Sequence, residues 1–267
     1  MRAVAALLLA LVSVALAATP AAAQDRGGRA RDTVADWHPY LFSSDGQLIG
    51  ARGAAVESGA GYNGVPSRDN GLAPDDAHSA TGWLGAAVGV TRRIELDGTM
   101  LYGGDPQNGY RVDDARLEAR VQLLRPSARS PVALALGGGY QADALLEHAA
   151  TMSLDAGANF GRLNLTVNLR AAHYFHAGRD PVDLFVTAGA MVRATRVLRV
   201  GVEYVGEELE ALVAGDNDGA PGGRHYVGPT AALFFLRGHL RVSATGGALL
   251  TPGQEGPLVR AALAWVE

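Results

Sequence analysis

Charged residues recur at every second position in several stretches of this sequence, and in one stretch they alternate in sign. Asp114, Arg116, Glu118 and Arg120 are each two residues apart. Because successive side chains of a β-strand point to opposite faces, this spacing places all four on one face of a strand. Such a face can line an aqueous path and select solutes by charge, or it can hold paired charges that fill a closed interior. The sequence leaves both interpretations open.

Other charged residues follow the same rule, because each lies in a segment of alternating pattern whose opposite face is largely apolar. If those apolar faces contact lipid, the charged faces together enclose a lumen. The candidate lumen-lining charges are Glu95, Asp97, Asp114, Arg116, Glu118, Arg120, Arg170, Asp183, Arg193, Arg199, Glu203, Arg241 and Arg260.

Residue patterns typical of enzymes and metal sites are missing from the sequence. It contains neither a Gly-x-Ser-x-Gly elbow nor a His-Glu-x-x-His pair, and it has no Cys. His148 could act as a base, but its spacing supplies no serine partner. His173 and His176 lack a third ligand, and 216–219 lacks the closing Glu of a calcium loop. We therefore expect no catalytic residue, no metal site and no cofactor.

The segment 182–193 shows most clearly which element would position the charged residues. Val182, Val186 and Val192 fall on one wholly apolar face, and Asp183 and Thr187 fall on the other. The alternation extends over 182–193, as long as the strands of about 9–11 residues that cross a membrane, whereas strands of soluble sheets usually have about 5–6 residues. The length favours membrane-spanning strands.

Eleven further segments share this pattern more or less clearly. The twelve candidate strands are 47–57, 80–90, 94–103, 110–123, 131–141, 146–159, 163–174, 182–193, 197–205, 224–236, 239–250 and 257–266. Short connections such as 91–93, 160–162 and 194–196 alternate with long polar ones at 61–79 and 206–223. An even number of strands leaves both chain termini on the same, periplasmic side of the membrane. We predict an all-β, antiparallel, up-and-down transmembrane barrel of about twelve strands, with short periplasmic turns and longer extracellular loops.

The N-terminal residues have the composition of an export signal. Arg2 precedes an apolar stretch, and 21–23 is a run of Ala that is typical of a cleavage site. The apolar stretch is shorter than the roughly 20 residues that span a bilayer as a helix. We predict a cleaved signal peptide at 1–23, a periplasmic leader at 24–46 and the barrel at 47–267.

Charge and composition exclude some classes of protein. The formal net charge of -4 argues against a nucleic-acid partner, because phosphate binding requires a basic surface. The 35 Gly among 267 residues disfavour a helical protein, since Gly in a helix interior is destabilising.

Together these features resemble the Gram-negative outer-membrane β-barrel class of porin-like and small barrel proteins, although no particular family is identified. The last strand, with Leu263 and Trp265, is amphipathic as in that class. The resemblance implies location in the outer membrane and contact with its lipid and with the barrel-assembly machinery; the oligomeric state stays open. Aromatic residues near strand ends would form the interfacial girdles of such a barrel: Tyr102, Tyr110, Tyr140, Tyr174, Tyr204 and Trp265.

Three functions are compatible with such a barrel. The first is a narrow channel for small polar solutes or ions, because twelve strands lie between filled eight-stranded barrels and wide porins. The second is a plugged structural or adhesive barrel that acts through its extracellular loops. The third is an outer-membrane enzyme that modifies lipid, for which the sequence offers no catalytic motif.

Overall fold

The computed structural model describes most of the barrel region. Its residues are 39–64, 79–105, 109–127, 130–143, 148–175, 182–207, 209, 224–251 and 254–267. The signal peptide expected at 1–23, most of the leader and much of both long loops lie outside these residues. No helix within the described ranges is long and apolar enough to cross a membrane.

Twelve antiparallel strands form a closed barrel in which every strand is hydrogen-bonded to its neighbours in sequence, and β1 pairs with β12 to close it. This confirms the predicted all-β, up-and-down topology and the strand number. The strands are β1 (Ala54–Asn63), β2 (Ser79–Gly89), β3 (Ile94–Asp105), β4 (Gly109–Leu124), β5 (Val132–Asp143), β6 (His148–Phe160), β7 (Leu163–Tyr174), β8 (Val182–Arg193), β9 (Leu198–Glu207), β10 (Arg224–Phe235), β11 (Leu240–Thr251) and β12 (Gln254–Val266).

The alternation of side chains determines which surface each residue joins, as β6 shows. Thr151, Ser153 and Asp155 are buried and face the lumen. Met152, with 62% of its surface exposed, and Leu154 face outward. The same pattern around the barrel produces an apolar outer belt, which a membrane protein covers with lipid.

The two ends of the barrel differ in the length of their connections. At one end, which we call the turn end, β6 and β7 are joined by Gly161 and Arg162 alone, and β10 and β11 by a single turn of 3-10 helix, Leu236–Gly238. Gly161 has a φ of 65°, a conformation that Gly adopts without strain. At the opposite end, which we call the loop end, the connections after β1 and β9 are much longer.

The first strand begins later than the sequence pattern suggested. β1 starts at Ala54, so the expected strand at 47–57 is displaced by several residues. The residues before β1, 39–53, form what we call the inserted segment, and its hydrogen bonds show that it enters the barrel lumen. Gly157 and Gly189 line its path, where a side chain would overlap the backbone of Asp45 or the ring of Tyr40.

The aromatic residues near strand ends do not all face the membrane. Tyr140 and Trp265 are exposed on the outer surface, and Tyr204 stacks on the outward His225. Tyr174 instead is buried and lines the lumen, so its predicted place in the girdle was wrong. Phe175 directly follows Tyr174 and is exposed, so adjacent aromatic residues lie on opposite faces there, which explains the error.

Candidate functional site

The lumen contains a cavity of about 310 Å³ that is lined by the inner faces of most strands and by the inserted segment. The lining includes Asp114, Tyr174 and Glu207, which lie toward the loop end of their strands, and Leu41 to Ser44 of the inserted segment. The cavity therefore extends from the inserted segment toward the loop end. Its charged lining residues are Glu57, Glu95, Asp97, Asp114, Glu118, Asp155, Asp183 and Glu207, with Arg116, Arg120, Arg170 and Arg260.

The inserted segment is held by hydrogen bonds from its own backbone to barrel side chains. Glu203, which is completely buried, accepts from the N–H groups of Leu41 at 3.1 Å and Phe42 at 3.0 Å. A carboxylate that accepts several N–H groups satisfies both its own charge and the otherwise unpaired backbone. The segment is therefore fixed to β9 by one side chain.

Further bonds hold the segment to the opposite wall. Ser44 N–H donates to Asn168 at 2.8 Å, and Ile49 N–H donates to Glu95 at 2.6 Å. Gln122 donates to the carbonyl of Gly46 at 2.6 Å. These partners lie on β3, β4 and β7, so the segment crosses the lumen near the turn end and narrows it.

Tyr40 anchors the start of the described segment. Its hydroxyl donates to the side-chain oxygen of Asn164 at 2.5 Å. Burial raises the pKa of the Tyr40 hydroxyl, and the nearby carboxylates of Asp45 and Glu203 raise it further. The phenol therefore stays protonated and remains a hydrogen-bond donor at every physiological pH.

One wall of the lumen is a network of paired charges on β3, β4 and β6. Arg120 contacts Glu95 at 3.0 Å and Asp155 at 2.5 Å. Glu118 accepts a hydrogen bond from Ser153 and lies 3.9 Å from Nε of Arg116. The contacts of Arg120 are of the kind that a paired lattice, one of the two interpretations of the alternating charges, would contain.

At two other places in the lumen, guanidinium groups stack on aromatic rings. Arg260 lies between the rings of Phe42 and Trp83, 4.9 Å from the centroid of each. Arg170 lies 4.6 Å from the ring centroid of Phe185. Guanidinium groups stack favourably on aromatic faces, so these contacts hold the two arginines without neutralising them.

The structure places the candidate lumen charges in three groups. Nine line the cavity: Glu95, Asp97, Asp114, Arg116, Glu118, Arg120, Arg170, Asp183 and Arg260. Arg199, Glu203 and Arg241 are buried and face the lumen outside the cavity lining. Arg193 is exposed at the turn end of β8.

Several lining residues were not found from the sequence. Glu57 belongs to β1, whose register was misplaced; it accepts from Trp83 Nε1 at 2.9 Å and from Arg241. Glu207 was assigned to an acidic loop, but it ends β9 and is buried. Phe42 belongs to the segment that was expected to precede the barrel. Extending the predicted strand 197–205 by two residues would have included Glu207.

Of the histidines that were considered as catalytic or metal-binding residues, His148 and His173 lie on the outer surface. His148 is exposed, and its Nδ1 lies 2.5 Å from the hydroxyl of the outward Tyr140. His173 packs edge-on against Phe175. His176 and 216–219 lie outside the described residues. Within the described part of the chain, no group of three or more His, Asp or Glu side chains could hold a metal ion.

The fold resembles those of known outer-membrane proteins. The COG4313 outer membrane channel from Pseudomonas putida F1 aligns with 85% of this chain and all of its own, at 13% identity and a TM-score of 0.60. The NanC porin gives 0.57 at 7% identity, and the KdgM porin 0.54 at 8%; each alignment covers 79% of this chain and 98% of the porin.

This confirms the predicted outer-membrane β-barrel class. No family model and no curated protein matches the sequence. At these identities the likeness concerns the fold of the barrel, so the function rests on the lumen itself.

Proposed function

We propose that this barrel is a narrow outer-membrane channel for small polar solutes. The observation that carries the proposal is the cavity of about 310 Å³ with its charged lining, which a barrel filled by side chains would not contain. The channel and porin folds that it resembles agree with this function. The inserted segment limits the diameter near the turn end, so the conductance is small.

The charges of the lining indicate the ion preference of such a channel. Eight carboxylates and four guanidinium groups line the cavity, which leaves an excess of negative charge. Fixed charge in a narrow aqueous path attracts counter-ions and repels ions of its own sign. We expect a modest preference for cations.

A plugged structural barrel is the second candidate, because the inserted segment crosses the lumen and is bonded to β3, β4, β7 and β9. The two functions differ in whether ions pass the segment in the intact protein. The lipid-modifying enzyme has no comparable support in the lumen.

Conductance in planar bilayers distinguishes the two candidates. The refolded protein beginning at Gln24 should give small, steady, cation-preferring currents. A variant without 24–50 should give larger currents, because the narrowing segment is gone. Glu203→Gln provides a milder change, since it weakens the acceptor for the segment while leaving the strands intact.

The folding of each sample is checked by the heat-dependent mobility shift of barrels on gels. If the intact protein carries no current and the shortened variant does, the protein is a plugged barrel and not a channel. Silence of all folded samples would exclude conduction through this lumen.

A further inference from the structure

Arg260 is a buried cation with two hydrogen-bond donors that have no acceptor. Only 6% of its surface is exposed, and its Nε and Nη2 atoms have no hydrogen-bond partner. Its guanidinium stacks on the rings of Phe42 and Trp83, and the carboxylates of Glu207, Glu57 and Glu203 attract it from nearby. Buried donors are normally paired, so an arginine in this state at the wall of a cavity is a site where a ligand can supply the missing acceptor.

The surroundings of Arg260 are built by two glycines of β1. A side chain at Gly59 would overlap the ring of Trp83, and one at Gly61 would overlap the stem of Arg260. Trp83 is fixed further by its hydrogen bond to Glu57 at 2.9 Å. Glycine at these two positions makes the niche in which the ring and the guanidinium lie side by side.

The three carboxylates near Arg260, those of Glu207, Glu57 and Glu203, accept no hydrogen bond from its Nε or Nη2 atom. Glu57 accepts from Trp83 and Arg241, and Glu203 accepts from the inserted segment and from Thr230 at 2.9 Å. The Nε–Nη2 edge of a guanidinium matches the two oxygens of a carboxylate. The ligand chemistry that fits this edge is therefore a carboxylate.

The excess of carboxylates in the lining limits what kind of carboxylate can stay. A simple anion would be repelled by that excess, whereas a zwitterion has no net charge and its ammonium group is attracted. Asp97 also lines the cavity, and its Oδ2 atom is buried without a hydrogen-bond partner. The rings of Phe42 and Trp83, which contact Arg260 and line the cavity, supply apolar contact for the body of the solute.

We propose that Arg260 and the adjacent rings of Phe42 and Trp83 form a carboxylate-binding subsite for zwitterionic solutes with an apolar body, such as an aromatic α-amino acid. The subsite would define the class of solute that the proposed channel transports. Only the transport of that solute rests on the proposed function. Binding itself requires the cavity and not conduction.

Calorimetric titration of the folded, detergent-solubilised barrel tests the subsite with three probes of one shape. Phenylalanine carries both charges, phenylalaninamide lacks the carboxylate, and 3-phenylpropionate lacks the ammonium group. We expect phenylalanine to bind at least about tenfold more tightly than either of the others, the difference that one charge-assisted pair supplies.

Arg260→Gln should lower the affinity for phenylalanine to that for phenylalaninamide. Arg193→Gln, at an exposed arginine of the turn end, is the matched control and should leave it unchanged. Heat-dependent gel mobility confirms that each variant is folded. Arg260→Lys keeps the charge but loses the flat edge, so it should restore part of the affinity if folding is intact.

Equal binding of phenylalanine and phenylalaninamide, or full affinity in Arg260→Gln, would overturn the subsite. Equal or tighter binding of 3-phenylpropionate would overturn the zwitterion as its ligand. Conductance measured on the same samples separates the two proposals. A conducting barrel that does not discriminate the probes contradicts the subsite alone, and a silent barrel that binds phenylalanine contradicts the channel alone.

Discussion

Arg120 is shared between two carboxylates from different strands. Its guanidinium contacts Glu95 of β3 and Asp155 of β6, and it also donates to Ser44 of the inserted segment at 2.7 Å. Moving charges out of water is costly, and close ion pairs with additional hydrogen bonds offset much of that cost. One residue of β4 therefore joins two neighbouring parts of the wall to the segment inside it.

Replacing Arg120 by Met should destabilise the barrel strongly. Glu95 and Asp155 would remain buried without their cation, and loss of one partner of a buried pair costs about 3–5 kcal/mol. Unfolding in urea, followed by tryptophan fluorescence in micelles, measures the change. Arg193→Met is the control, because an exposed substitution is expected to stay within about 0.5 kcal/mol. Equal midpoints for both variants would mean that water, not Arg120, solvates these carboxylates.

At the scale of one strand, adjacent residues of β8 belong to different surroundings. Val186 faces outward, whereas Thr187 lines the cavity and donates to Asn168 of β7 at 2.8 Å. The outward residue has lipid as its solvent and the inward residue has a polar lumen. The two residues are adjacent in sequence, but their side chains lie on opposite faces of the barrel wall.

Val186→Arg should therefore impair assembly far more than Thr187→Arg. A charged side chain on the lipid face near the middle of the membrane costs about 2–4 kcal/mol, and the lumen accepts one more readily. The fraction of heat-shifted, folded protein in outer-membrane preparations reports the effect. Similar fractions for the two variants would contradict the assignment of faces along β8.

The strands could be predicted from the sequence because their pattern is local. Each of β2 to β12 repeats an alternation over ten or more residues, and neighbouring strands follow one another in sequence. The path of the inserted segment has no such signal. Leu41 N–H meets Glu203, which is 162 residues away, and backbone N–H groups are the same for every residue type.

The residues of the candidate site also differ in whether the sequence predicts them. The charged faces of β3 and β4 were predictable from spacing alone, and the structure brings Glu95, Asp97, Glu118 and Arg120 to one cavity. The role of Arg260 was not, because it depends on Phe42 in the inserted segment and on the space left by Gly59 and Gly61. Contacts between the strands and the inserted segment determine which charged side chains lack a hydrogen-bond partner, and the alternating pattern of the strands does not reveal those contacts.

At the scale of the whole molecule, the turn end is strongly basic. Arg92, Arg93, Arg162, Arg196 and Arg237 are all exposed in its short connections. At Arg125, in the same end, partial burial lowers the pKa of the guanidinium, and the nearby Arg93 and Arg92 lower it further. These side chains lie beyond the ends of the strands, and basic residues at such a position in a membrane are attracted to lipid phosphates. The charge distinguishes this end from the rest of the surface.

The orientation of the barrel in the outer membrane is the last expectation, and the sequence makes it easy to test. The chain has no cysteine, so a single introduced thiol is the only site for a maleimide. Glu255→Cys lies at the loop end, at the start of β12, and Arg196→Cys lies in the turn between β8 and β9. Short turns of outer-membrane barrels face the periplasm and the longer loops face outward. A membrane-impermeant maleimide should therefore label Glu255→Cys on intact cells and Arg196→Cys only after the outer membrane is permeabilised. Labelling in the opposite order would place the basic end and the inserted segment outside the cell, and a solute would then meet the narrowing before it meets the cavity.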